Sequence, residues 1–183
     1  MTAGCAARRV RRVRGDPRAA RPVLSADGPA VYDGAMSSIE SNLAVVRRFW
    51  DTLYAHDFAA LRPFFAPDAE YDDVPLPDAK VFGPAAIVRK LEIGLGRVPR
   101  HVHHVHRMVA DDTTVVTEHT EDWCFADDHV VSLPFVSVQV LADGQITLWR
   151  DYSNMETLLS AAPKWWLEHV MAAWAESPPE QAR

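Results

Sequence analysis

The chain has 183 residues, 48% of them hydrophobic and 24% charged, a balance that suits one globular domain better than two. A formal net charge of −6 gives no reason to expect nucleic acid as a partner, and no apolar run approaches the roughly 18 residues that a membrane span needs. The two cysteines, Cys5 and Cys124, fit neither a metal spacing nor a redox pair and agree with a reducing, cytoplasmic setting.

Residues 1–35 hold seven arginines and three aspartates, a charge of +4 that leaves −10 for the remainder. This stretch is rich in Ala, Arg, Pro and Gly and has little to bury, so it reads as a disordered tail or as an over-extended start ahead of Met36. An organellar transit peptide and a nucleic-acid or membrane arm are the competing readings. A single domain is expected over residues 36–177, with 178–183 as a second short tail after Pro178-Pro179.

From Ser37 the pattern is helical. Leu43, Val46, Phe49, Trp50 and Leu53 share a face, and Ser37 or Ser38 is a candidate N-cap. His56-Asp57 ends this helix, and Phe58 to Phe65 reads as a short second one. A strand is expected from Ala69 to Val74, then an extended loop at Pro75-Leu76-Pro77, because proline fixes φ and restricts the residue before it. Gly83-Pro84 opens a third helix that runs to about Gly94.

The second half reads as strands: Arg100–Val109, Thr113–Phe125, Val130–Leu141 and Gln145–Tyr152. Asp111-Asp112 and Asp127-Asp128 mark turns, and Asp143-Gly144 is a strong hairpin signal. Asn154–Leu159 begins a helix, and Pro163 reopens one carrying Trp165, Trp166 and Trp174 that packs in the core or against a second copy. Helices segregated from an antiparallel meander define an α+β fold, with a curved antiparallel sheet wrapped around the N-terminal helices to make a cone.

Strand alternation groups the chemistry. Thr117, His119, Glu121 and Trp123 share one face of their strand; Trp149 and Asp151 share a face of the last; Tyr71 and Asp73 share a face of the first. A concave sheet can bring Tyr71, Asp73, His119, Glu121 and Asp151 to one cavity. Carboxylates in an apolar cavity hold protons more tightly, so one can be an acid while its neighbour is a base. The plainer alternative is that these acids line a solvent face, since alternation does not say which face is inside. The run His101-Val102-His103-His104-Val105-His106 places at most two rings on one side, short of the three or four ligands a metal needs.

The segments Tyr71-Asp72-Asp73-Val74-Pro75-Leu76-Pro77, Glu118-His119-Thr120-Glu121 and Gly144-Gln145-Ile146-Thr147-Leu148-Trp149-Arg150-Asp151-Tyr152 resemble the limonene-1,2-epoxide hydrolase family, over roughly Ser37 to Leu159 and in the right order. The resemblance implies a nuclear transport factor 2-like (cystatin-like) cone, a homodimer, no metal and no organic cofactor. It implies one-step opening of an epoxide by a held water. Tyr71 matches the family's Tyr and Asp151 its water-activating base. Three positions depart: Asp73 stands for an Asn, His119 for a bridging Arg, and Glu121 for the acid Asp.

With His at 119, three carboxyls beside one ring are expected to raise the His pKa and to keep at least one carboxyl protonated. Hydrolysis would then use Asp151 as base on a water placed by Tyr71 and Asp73, Glu121 as acid, and His119 coupling the two carboxyls. An isomerase, dehydratase or cyclase would instead use His119 with Asp73 or Asp151. A third possibility is a non-catalytic small-ligand-binding module, favoured if Trp123 and Phe125 fill the cavity. In each case the ligand is small and hydrophobic, with Trp123, Trp149 and Leu76 as candidate contacts.

Overall fold

The computed structural model describes residues 38–76 and 79–176. The expectations for the tails 1–35 and 178–183, for Ser37 as a cap and for Pro77 lie outside the described residues.

Helix α1 (Ser38–Tyr54) buries Asn42, Val45, Val46, Phe49, Trp50 and Leu53, the three-and-four spacing of a one-sided helix. The stripe begins with Asn42 rather than Leu43, because the Asn42 amide donates to the carbonyl of Asp112 at 3.0 Å. The helix stops where His56 turns to a left-handed φ of 57°. No α-helix follows. Phe58–Ala60 and Arg62–Phe64 are separate 3-10 turns, the first capped by the Asp57 carboxylate and the second carrying Pro63, which has no N–H to extend a helix.

Strand β1 (Phe65–Asp73) therefore starts four residues before the expected Ala69. An unforeseen two-residue strand, β2 (Val81–Phe82), pairs with it through Glu70 and Tyr71. Gly83 then adopts φ +76°, a left-handed conformation that glycine alone takes without strain, and delivers the chain into α2 (Gly83–Leu95).

The four long strands are β3 (Arg100–Ala110), β4 (Thr114–Ala126), β5 (His129–Ala142) and β6 (Gln145–Ser153). They form the expected antiparallel meander, closed between β5 and β6 by Asp143 and Gly144, both at positive φ. The six strands lie in the order β2-β1-β6-β5-β4-β3 in an open curved sheet. One pairing departs from the all-antiparallel expectation: β1 runs parallel to β6, with Tyr71 beside Trp149 and Asp73 beside Asp151. Alternation within a strand carries no information about the direction of a partner some eighty residues away.

Helices α1 and α2 cover the concave face, followed by α3 (Met155–Ala161) and α4 (Lys164–Glu176). Phe49 meets Trp149 edge-on with ring centroids 5.1 Å apart, and Trp149 stacks on Tyr71 at 3.9 Å. Such contacts add about 1 kcal/mol per pair beyond the area they bury, and here they lock β1, β6 and α1 together. Among the described residues no helix is long and apolar enough to cross a membrane.

Candidate active site

The pleat decides which side chains point inward. The buried residues include Val115, Thr117, His119, Glu121 and Trp123 on β4, Leu133, Phe135, Ser137 and Gln139 on β5, and Trp149 and Asp151 on β6. Tyr71 and Asp73 enter from β1 beside them. The acids thus lie on the concave face, under the helices. A cavity of about 510 Å³ opens there, and Tyr71, Asp73, Glu121 and Asp151 are on its wall, as are Trp123, Trp149 and Leu76. The cavity is open rather than plugged, and Phe125 is not on its wall but packs behind it, against Trp123, Trp165 and Trp166.

Asp151 accepts from three donors. The Tyr71 hydroxyl reaches Oδ2 at 2.9 Å, the Trp149 indole reaches Oδ1 at 2.6 Å, and the Ser137 hydroxyl also donates to Oδ1. These bonds favour the ionised form, but burial and the nearby Asp73 charge outweigh them and lift its pKa to about 7. Glu121 is held differently: Trp123 donates to Oε2 at 3.0 Å and the Tyr54 hydroxyl donates to Oε1. Burial, reinforced by the charge of Asp151, raises its pKa to about 8. One cavity therefore holds two carboxyls that burial makes grip their protons far more tightly than usual.

His119 departs from expectation in three ways. It is not on the cavity wall, it bonds neither Glu121 nor Asp73, and its pKa falls to about 3 rather than rising. Burial is the main cause: the ring lies between Trp50 and Phe135 and meets no carboxylate directly. It cannot bridge the two acids. Asp73 pairs instead with Lys90, whose Nζ lies 3.2 Å from Oδ2, donates to the Ala79 carbonyl at 2.7 Å and sits 4.1 Å above the Tyr71 ring. The histidine run divides as alternation requires. His101 and His103 face inward to His56 and His119, while His104 and His106 face outward to Asp122 and Thr120. Among the described residues no group of three or more His, Cys, Asp or Glu converges to hold a metal ion.

Sequence reasoning missed Tyr54, Lys90 and Ser137. Each carries a signal once the faces are known. Tyr54 is one turn beyond Trp50 on α1, Lys90 sits between Ile87 and Leu91 on the buried flank of α2, and Ser137 occupies an inward position of a mostly apolar strand face. Lys90 and Asp73 side chains are only 10% and 12% exposed, so removing the cation strands a buried carboxylate. Lys90→Met is expected to destabilise the fold by roughly 3 kcal/mol, and adding Asp73→Asn should recover most of the loss in a denaturation double-mutant cycle.

The open curved sheet, the helices on its concave face and the acid-lined cavity between them define a nuclear transport factor 2-like domain. The chain belongs to the SnoaL-like domain family, whose model matches residues 46–149, more than half of the chain. Among solved structures it is similar to an LEH-like epoxide hydrolase of M. tuberculosis at 25% identity and a TM-score of 0.57, covering 76% of this chain and 98% of that one. A proposed SnoaL-like polyketide cyclase of Shewanella putrefaciens matches at 18% identity and 0.57, covering 66% and 94%. A proposed ketosteroid isomerase of Kribbella flavida matches at 21% and 0.54, covering 66% and 82%. The last two show the fold alone. No curated protein matches the chain.

Proposed function

We propose that the protein adds water to a small hydrophobic epoxide by carboxylate acid and base catalysis. The observation that carries this reading is the unequal tethering of two carboxyls on one cavity wall: Asp151 gathers three donors, Glu121 two. Ionised Asp151 takes a proton from a water as that water's oxygen attacks an epoxide carbon. The carbon–oxygen bond breaks, and Glu121 passes its proton to the leaving oxygen, giving a diol. The Trp123 indole donates to Glu121 Oε2 and the Tyr54 hydroxyl to Oε1, so both oxygens of the acid are held in place. Tyr71 fixes the base, and Lys90 pairs with Asp73, which can orient the water.

The similarity to an LEH-like epoxide hydrolase supports this reading. Apolar residues of α2, α3 and α4, among them Leu91, Leu158 and Trp166, suit an apolar substrate. Pairing of two such chains and a cytoplasmic setting belong to the same proposal, the pairing being open to sedimentation equilibrium. The test of activity is a panel of terpene and aliphatic epoxides in ¹⁸O-water. One ¹⁸O atom is expected in the diol product; no diol from any epoxide, with the folded protein confirmed, sinks the reading.

One observation favours a second reading. Neutral His119 leaves Asp151 and Glu121 without a cation between them, so the pair can also move a carbon-bound proton. Isomerisation or ring closure would then occur with no oxygen from water in the product, and the same labelled assay separates the two.

A further inference from the structure

Behind the cavity wall, four side chains form a continuous line. Asp151 Oδ1 accepts from Ser137 Oγ; Ser137 Oγ lies 2.9 Å from His119 Nε2; His119 Nδ1 lies 2.8 Å from His103 Nε2. Donor counting fixes the direction. An ionised carboxylate only accepts, so Ser137 spends its single proton on Asp151. His119 must then donate from Nε2, which leaves Nδ1 bare to accept from His103 Nε2–H. Each proton in the line points toward Asp151.

We propose that Ser137, His119 and His103 form a proton relay joining Asp151 to the open edge of the sheet. His103 is half-buried on β3, the terminal strand, where it stacks on Tyr54 at 4.1 Å. Neither His119 nor Ser137 is on the cavity wall, so the line does not cross the substrate space. That gives it a use. An apolar substrate filling the cavity cuts Asp151 and the water it holds off from bulk solvent, and the base must still be reset each turnover.

The hops balance. A proton arriving at His103 Nδ1 releases Nε2–H to His119 Nδ1; His119 releases Nε2–H to Ser137 Oγ; Ser137 releases its proton to Asp151, and the carboxylate becomes a carboxylic acid. Each intermediate gains one proton and loses one, and the reverse sequence discharges Asp151. The apolar surroundings of His119, which hold it neutral, make it a conduit rather than a store.

The groups facing Asp151 are Tyr71 and Asp73 from β1, Glu121 from β4, Ser137 from β5, Trp149 from β6 and Lys90 from α2. Of the groups that contact it directly, only Ser137 leads onward to a histidine.

The relay rests on Asp151 being the group that gains and loses a proton in the proposed reaction, but its test needs no turnover. In protein labelled with ¹⁵N at histidine, His119 carries its proton on Nε2 well above pH 7. As the pH falls and the Asp151 carboxylate band disappears in the infrared, the His119 proton is expected to move to Nδ1 with the same midpoint. A His119 whose ring signals stay constant while Asp151 takes its proton overturns the relay. Ser137→Ala should uncouple the two, leaving Asp151 titrating and His119 silent, and Ser137→Thr should restore the response. Inversion surviving in Ser137→Ala also overturns it. A coupled His119 in a protein that forms no diol upholds the relay and removes the hydrolase reading; diol formation with an unresponsive His119 does the opposite.

Discussion

Asp151→Asn is expected to lower kcat for epoxide opening about a thousandfold while leaving the fold intact. An amide cannot take a proton from water, yet its oxygen still accepts from Trp149 and Ser137, and the Tyr71 hydroxyl can turn to accept from the new NH₂. Stability should not fall. The wild-type site holds a buried carboxylate above pH 7 at a cost in desolvation, and the amide carries no such charge. Steady-state kinetics beside a thermal scan at alkaline pH checks both halves. A kcat within a few fold of wild type would remove Asp151 from the role of base.

Glu121→Gln is the second large effect, roughly a hundredfold in kcat, and its pH dependence is diagnostic. The reaction needs Asp151 ionised, which is favoured above about 7, and Glu121 protonated, which is favoured below about 8. The wild type should therefore show a bell-shaped kcat/KM profile with its maximum between those values. Glu121→Gln should lose the alkaline limb and keep the acid one. Stability carries a matching signature. The folded midpoint of Glu121 near 8 lies above its ordinary 4.5, so between these values the folded state keeps a proton that the unfolded chain has released. The contribution of this group to stability is full below that window and declines as pH rises through it. His101, His103 and His119 act in the opposite sense, because their pKa values near 3, 4 and 3 lie below the ordinary 6.5; their contribution is lost as pH falls through that range. Glu121→Gln should flatten the alkaline decline and leave the acid loss in place, as urea midpoints measured across pH would show.

Two aspects of this site bear on substrate choice. The polar groups gather on the sheet, while α2, α3 and α4 contribute mainly apolar wall, including Leu91, Leu158, Trp166 and Trp174. Under the proposed reaction, an epoxide would therefore meet the strands with its reactive end and the helices with its hydrocarbon body. Trp166 anchors this wall by donating from its indole to the Gly94 carbonyl at 2.8 Å, which ties α4 to the end of α2.

Local pattern was enough to place most of the elements and to group their faces, though not the 3-10 turns before β1 or the short β2. The period of α1, the four long strands, the Asp143-Gly144 hairpin and the sharing of one face by Thr117, His119, Glu121 and Trp123 are local properties, set by backbone geometry that repeats every few residues. Tertiary structure decided everything that depends on partners distant in the chain. It placed the acid-bearing face inward, ran β1 parallel to β6, and gave Asp73 to Lys90 rather than to His119. It also set the charge of His119, which the three carboxyls expected beside the ring suggested would be positive. Protonation answers to burial and to contacts within a few ångströms, and those exist only once α1 and β5 have closed around the ring.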